Sequence, residues 1–343
     1  MHATRRIEIA DTTQVAEARR AAIELAGGLG LAAHEIDRAA LVATEAASNV
    51  LKHAGRGELL LCVHPGAAPM LEMLMLDAGP GFDAASAGVD GYSTSGTLGG
   101  GLGALRRLSS ELQIYSPPGG GSLVRIAVAA GNLPAPSAAF EVGALSLPHP
   151  GETVCGDAFG WRVDGDRGLF VVADGLGHGS EARRASARVI DALPPASEPP
   201  TRLLQQAHAA LHGTRGAAVG VTVIDLAAGQ ACHAGIGNIA ARIFDDSGVK
   251  NMVSLAGIVG HNVRKLQSFD HPFGPHSLLV MHSDGLGTRW QLDAYPGLQA
   301  QHPAIIAAVL YRDHARGHDD ISVLVARAAP GAPKVHAAGE AAA

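Results

Sequence analysis

The chain has 343 residues, 47% apolar and 17% charged, with a formal net charge of −6 at neutral pH. That composition suits two packed globular domains and excludes a disordered chain. The acidic balance, with no long Lys/Arg run, argues against a nucleic-acid surface.

Cys62, Cys155 and Cys232 share no metal-ligand spacing and form no even framework, so each reads as a small core thiol in a reducing compartment. The first residues carry no apolar signal region, and no apolar run reaches bilayer-spanning length. A cytoplasmic location without a membrane partner is therefore expected. The 17 histidines are scattered and show no zinc-ligand pattern.

In chain order, Arg5–Ile9 is a predicted strand. Asp11 then caps a helix running to about Leu25, which Gly27 and Gly28 end. A second helix spans about Ala33–His53. Ile36, Ala40, Ala43, Ala47 and Val50 form its apolar stripe, while Glu45, Asn49 and His53 recur every four residues on another face. Such a polar triplet is either a solvated face or a row of functional groups. Glu58–Val63 and Leu71–Leu76 are predicted strands joined by a Gly/Pro turn. The second runs into Asp77, followed by Gly79 and Gly81. A carboxylate there can accept an amine hydrogen bond while the glycine backbone closes over a flat ring. The stretch 91–103, with Gly99, Gly101 and Gly103, leads into a predicted helix over Ala104–Glu111. Glycines before a helix expose N–H groups, and the helix dipole favours phosphate there.

These features, on a helix, a strand end and a loop-to-helix junction, resemble the GHKL ATPase/kinase family over about residues 5–128. Within it they are most similar to anti-sigma-factor serine kinases of the RsbT type. The resemblance implies a Bergerat α/β sandwich that binds ATP and Mg²⁺. It implies Glu45 as the catalytic acidic residue polarising the substrate hydroxyl and Asn49 as the Mg²⁺ ligand. It also implies Asp77 as the adenine reader with Gly79 and Gly81 beside the base, and Gly99, Gly101 and Gly103 as the phosphate cradle. The stretch from Gly81 to the Gly-rich loop is short, which implies a minimal ATP lid. No phosphoacceptor-histidine helix precedes the domain, which argues against a sensor histidine kinase. Apart from any family, phosphoryl transfer needs a clamped triphosphate, a metal and a positioned base. Glu45 and Asn49, one helical turn apart, can serve the last two.

A Pro/Ala-rich linker over 131–139 separates an expected first domain, 1–130, from a second over 140–327; residues 328–343, rich in Ala, Gly and Pro, read as a disordered tail. In the second domain strands are predicted at Val142–Leu147, Asp157–Val163, Leu169–Ala173, Gly216–Asp225, Gln230–Ile236, Ala240–Asp245, Ser277–His282 and Ile321–Ala326. Helices are predicted over Glu181–Leu193 and Pro200–His212, with a proline-rich loop between them. Many strands and few long helices suggest a layered α+β sandwich.

Four acidic residues fall at strand ends or beginnings: Asp157, Asp174, Asp284 and Asp319. Asp174-Gly175 closes one apolar strand, and Asp284-Gly285 repeats the pattern downstream. Gly175 lacks a Cβ and can bring its carbonyl close to an ion, while Asp174 offers a hard oxygen suited to Mg²⁺ or Mn²⁺. Clustered carboxylates repel one another unless divalent cations neutralise them. Two ions could activate a bridging water and brace a phosphoryl group for in-line attack. The alternative is four separate Asp turns and caps.

The ordered set resembles the PPM-type metal-dependent serine/threonine phosphatases of the SpoIIE/RsbX branch, over about 140–327. That implies a PPM-type α-β-β-α sandwich with two Mn²⁺ or Mg²⁺ ions. The implied ligands are Asp157, Asp174, the Gly175 carbonyl, Asp284 and Asp319, with Asp174 and Asp284 carrying catalysis and Asp320 a neighbour. The Gly235–Asn238 segment also matches that branch. The arginine that binds phosphate in many relatives has no clear counterpart before the first acidic motif. His178 and Arg183 stand nearby, though a solvated helix start explains both as well.

Together the two resemblances imply a partner-switching regulator, fused from a kinase and a phosphatase. The kinase half would phosphorylate serine or threonine on a STAS-domain antagonist, and the phosphatase half would remove such phosphates. A downstream signalling enzyme or sigma-pathway regulator would be a further partner. The alternative is an adaptor whose N-terminal half only binds nucleotide and partner, with catalysis confined to the C-terminal half.

Overall fold

The structure, a computed structural model, describes residues 4–64, 68–82, 101–131 and 139–330. The chain divides into two compact units, Met1–Ala135 with Leu292–Gln301, and Pro136–Gln291 with His302–Ala343.

The first unit is built on an antiparallel sheet of β1 (Thr4–Ile9), β2 (Gly57–His64), β3 (Met70–Asp77), β4 (Glu111–Tyr115) and β5 (Ser122–Ala129). The strand order is β1-β2-β3-β5-β4. Strand alternation gathers Leu59, Leu61, Leu71, Met73, Val124 and Ile126 into one core with α1 (Thr12–Gly28) and α2 (Ala33–His53). The helices meet that core through small residues, Ala18, Ala22, Ala43 and Ala47, which let the backbones approach closely. Asp11 caps α1 as its sequence position predicts. Its Oδ1 accepts from Thr13 N at 2.7 Å, and Gln14 Oε1 accepts from Asp11 N at 2.9 Å, closing a capping box.

The helix predicted over Ala104–Glu111 is shifted. It is α3, Gly101–Leu108, so Gly101 and Gly103 lie inside the first turn and not in a loop before it. The serines at 109 and 110 follow its end, and the alternating Glu-Leu-Gln-Ile-Tyr run that opens at Glu111 forms β4 instead. Gly99 and the rest of 83–100 lie outside the described residues, as do 132–138 of the linker and 331–343 of the tail.

The second unit stacks two sheets. One contains β7 (Asp157–Asp164), β8 (Arg167–Gly175), β9 (Ala217–Asp225), β10 (Gln230–Ile236), β13 (Ser254–Leu255) and β14 (Phe269–Pro272). Its order is β13-β10-β9-β8-β7, with β14 also on β10. The other contains β6 (Phe140–Leu147), β11 (Ala240–Asp245), β12 (Gly248–Met252), β15 (Leu278–His282) and β16 (Ile321–Ala328), in the order β12-β11-β15-β16-β6. Phe140, Phe170, Val172, Ile243, Met281 and Leu324 join the inner faces in one core. On the outer face of the first sheet, Val171, Ala173 and Val219 pack with Ala185 and Val189 of α4 (Gly179–Asp191) and Leu203 and Leu204 of α5 (Pro200–Ala210). The result is an α-β-β-α sandwich, closed on its far side by α6 (Pro303–His314), which packs on β6 and β16.

No predicted element corresponds to α6. Every residue from Pro303 to Tyr311 is buried, so the segment lacks the polar face that reveals a 3.6-residue period. Gly143 of β6 is what lets α6 lie so close: a Cβ there would overlap the backbone of Ala304. Gly143→Ala is expected to destabilise this unit by about 3 kcal/mol or more, because helix and strand must part. A lowered urea midpoint checks this. Among the described residues no helix is long and apolar enough to cross a membrane.

Candidate functional site

In the first unit the face of α2 that carries Asn49 points at the start of α3. Asn49 is buried, and its Nδ2 has no hydrogen-bond partner. A Cβ on Gly101 would stand 2.7 Å from Asn49 Oδ1 and 3.2 Å from Nδ2. The glycine therefore holds open the space over the amide. A buried orphan amide beside the N-terminus of an eight-residue helix matches the chemistry of a nucleotide phosphate and its cation. Glu45 lies one turn earlier and is half-buried, whereas His53, third in the predicted triplet, is exposed. Gly103 lies in the same first turn of α3 as Gly101.

Asp77 ends β3 opposite Gly57 and Ser122. It is buried, and its Oδ1 accepts from Gly79 N at 2.8 Å and Ser122 N at 3.2 Å. Two backbone donors fix the carboxylate in place. Gly79 packs against Ala54, at the end of α2, and Gly81 takes φ +74 where a Cβ would meet Pro117 O at 2.6 Å. Asn49, Asp77 and Gly79 thus lie around one end of α2, while Gly81 packs against Pro117. Gly99 lies outside the described residues.

In the second unit the acidic residues come together from four strand ends. Asp157 opens β7 and pairs in register with Asp174 on β8. Asp284 follows β15, and Asp319 and Asp320 immediately precede β16. Burial above all, then the charge of Asp174, pushes the Asp157 carboxyl well above the usual carboxylate range. Asp174 is pushed up to about 7, by burial first and then by the charges of Asp284 and Asp319. The charges of Asp284, Asp319 and Asp320 thus add to the cost of ionising Asp157 and Asp174, as clustered carboxylates do.

Polar neighbours hold these groups in place. Ser283 Oγ accepts from Ser322 N at 2.9 Å and bonds to Asp157. Asn238 Nδ2 donates to Asp284 Oδ2 at 2.8 Å. His149 N donates to Asp320 Oδ1 at 2.8 Å, and Asp320 N to Asp319 Oδ1 at 2.9 Å. Arg183 Nη1 donates to the Asp157 carbonyl at 3.1 Å. His178 bonds Glu152 through Nδ1 at 2.7 Å and stacks on His149 with centroids 4.8 Å apart. Gly175 has a packing reason to be glycine, since a Cβ would overlap the backbone of Ala182 in α4. Of these supports, Ser283 adjoins a predicted ligand and Asn238 lies in a segment the sequence singled out. His149 gave no sequence signal.

Asp157 Oδ2 and Asp320 Oδ2 are buried acceptors without a hydrogen-bond donor. Cation binding suits such oxygens, and the hard carboxylate set suits magnesium or manganese. Among the described residues, no three carboxylate, imidazole or thiolate groups form a closed coordination group. PPM phosphatases as a class bind manganese or magnesium.

Comparison with known proteins separates the same two parts. Residues 9–128 match the histidine kinase-like ATPase domain family, and 164–329 match the stage II sporulation protein E family. The serine/threonine-protein kinase RsbT of Bacillus subtilis is 30% identical over 121 residues, 35% of this chain and 91% of that protein. The phosphoserine phosphatase RsbX of Bacillus subtilis is 28% identical over 142 residues, 41% of this chain and 71% of that protein. A chain from a study of the bacterial stressosome, a modular system adapted to control secondary messenger signalling, aligns with TM-score 0.52 and 28% identity. It covers 55% of this chain and 99% of that one. The expected fusion and both expected folds stand on these matches. The chain belongs to the RsbT family of histidine kinase-like ATPase domains through its first part, carried on one polypeptide with a SpoIIE-type PPM phosphatase domain.

Proposed function

We propose that the chain is a bifunctional partner-switching regulator that adds and removes phosphate on serine or threonine of STAS-domain proteins. The observation that carries the reading is the gathering of Asp157, Asp174, Asp284, Asp319 and Asp320 from separate strand ends into one partly buried group whose charges oppose ionisation of Asp157 and Asp174. We assign residues 1–130 to the kinase, 131–139 to a linker, 140–327 to the phosphatase and 328–343 to a tail.

In the kinase, Glu45 takes up the proton of the attacking hydroxyl. Asn49 and Mg²⁺ orient the triphosphate, Asp77 with Gly79 and Gly81 reads adenine, and Gly99, Gly101 and Gly103 receive the phosphates. In the phosphatase, Asp157, Asp174, the Gly175 carbonyl, Asp284 and Asp319 hold two Mn²⁺ or Mg²⁺ ions. Those ions would supply a lowered water pKa and neutralise phosphoryl charge. Ser283 and Asn238 keep Asp157 and Asp284 in fixed orientations. RsbT and RsbX, a kinase and a phosphatase by name, support the pairing of opposed activities. A sigma-pathway regulator or signalling enzyme lies downstream.

Incubation with [γ-³²P]ATP and the cognate STAS-domain protein tests the kinase half, with expected label on that protein and its release when Mn²⁺ is added. ATP binding without any transfer would reduce the first unit to a nucleotide-dependent adaptor.

Metal binding makes a separate prediction about pH. Asp174 takes its proton near 7 in the fold and at an ordinary 3.8 when unfolded. The stability gained from that proton is full below about 4 and is lost as pH rises through about 7. A divalent cation replaces the proton, so it stabilises most where the proton has left. Saturating Mn²⁺ should therefore raise Tm more at pH 8 than at pH 6, and equal shifts would contradict ligation by Asp174.

A further inference from the structure

We propose that Arg215 positions the substrate phosphate in the phosphatase, supplied from the loop before β9. The inference rests on the phosphatase reading above. His178 and Arg183, the two residues near this role in sequence, are engaged elsewhere. Arg183 Nη1 bonds the Asp157 carbonyl at 3.1 Å, and His178 bonds Glu152 at 2.7 Å.

Arg215 differs from both. It is exposed, and its guanidinium makes no hydrogen bond or ion pair among the described residues. Its backbone is nonetheless held firmly. Thr214 N donates to Leu211 O at 3.0 Å, Gly216 N donates to Thr214 Oγ1 at 3.0 Å, and His261 Nε2 bonds Thr214 O at 2.9 Å. The loop is also tied to the turn that carries Asp174, because Leu176 N donates to Gly216 O at 3.1 Å. Gly177, at φ +84, stands under the guanidinium: a Cβ there would lie 3.0 Å from Arg215 Nη1, and no other atom comes within 4 Å. A fixed backbone thus presents an uncommitted, permanently charged fork against Gly177, which lies three residues beyond Asp174.

That position answers an electrostatic need. A phosphomonoester approaching five aspartates is repelled even when two divalent ions offset most of their charge. Guanidinium offers paired N–H donors matched to phosphate oxygens, and it stays charged at every working pH. A lysine offers the charge without the fork.

The test uses the full chain, p-nitrophenyl phosphate as a substrate with no protein body, and inorganic phosphate as inhibitor. Arg215→Ala should raise KM and the phosphate inhibition constant together by about tenfold, with a smaller fall in kcat. Arg215→Lys should recover part of both. The Mn²⁺-induced rise in Tm should be unchanged in each variant, which a merely structural role would not allow. Values of KM and inhibition within twofold of the parent chain would overturn the proposal. So would a loss confined to the phosphorylated STAS-domain protein, which would make Arg215 a docking residue. Asp174→Ala serves as the control. If it keeps full activity, the metal-site reading itself falls; if it is dead while Arg215→Ala is normal, only the arginine assignment falls.

Discussion

Asp174→Ala and Asp284→Ala are each expected to cut Mn²⁺-dependent phosphate release by on the order of a thousandfold while leaving ATP binding intact. The expected effect on stability has the opposite sign. Asp174 is half-buried, and desolvation first, then the charges of Asp284 and Asp319, push its carboxyl up to about 7, so above neutral pH its charge opposes folding. Without added ions Asp174→Ala should melt above the parent chain at pH 8, while in Mn²⁺ it should lose the parent's ion-induced rise. A variant that is both inactive and less stable without ions would indicate a structural carboxylate. Release that survives both substitutions would rule out the acidic cluster as the hydrolytic centre.

Gly101→Ala is expected to abolish measurable phosphoryl transfer and weaken ATP binding at least about tenfold, with little cost in stability. Alanine favours a helix over glycine by roughly 0.5–1 kcal/mol, so α3 itself should be firmer. The new methyl group would stand 2.7 Å from Asn49 Oδ1, and a short amide side chain can swing away at small energetic cost. In moving it gives up the position from which it would meet Mg²⁺ and phosphate. Asn49→Ala should lose transfer to a similar extent, and Glu45→Gln should lose transfer while keeping nucleotide. Calorimetry with ATP, paired with a thermal melt, separates these outcomes. Normal ATP affinity in Gly101→Ala would move the phosphate site away from this helix start.

Both candidate sites could be proposed from the sequence because each is announced by a local pattern. A strand running into Asp-Gly constrains only a few residues, and it survives the long chain separation between Asp174 and Asp284. The four-residue spacing of Glu45 and Asn49 likewise needs only one helix. What the sequence hid depends on packing between distant segments. The helix α6 is buried over most of its length and shows no periodic polar face. The boundary of α3 shifted because Gly101 and Gly103, read as loop residues, occupy a first helical turn. Arg215 lies some forty residues from Asp174 in the chain, and only the Leu176–Gly216 backbone bond brings their loops together.

The pairing of β6 with β16 bears on how the protein is born. Phe140 lies against Ala328 and Leu147 against Ile321, so the earliest strand of the second unit needs a neighbour synthesised nearly two hundred residues later. The first unit is less demanding: its sheet is complete once Ala129 has been made. On the ribosome, the sheet of the first unit can therefore form before its late segment Leu292–Gln301 exists, and while the second unit is still an open sheet awaiting its inner strand. Each new molecule passes through an interval in which one sheet is closed and the other still lacks the strand that joins its two ends.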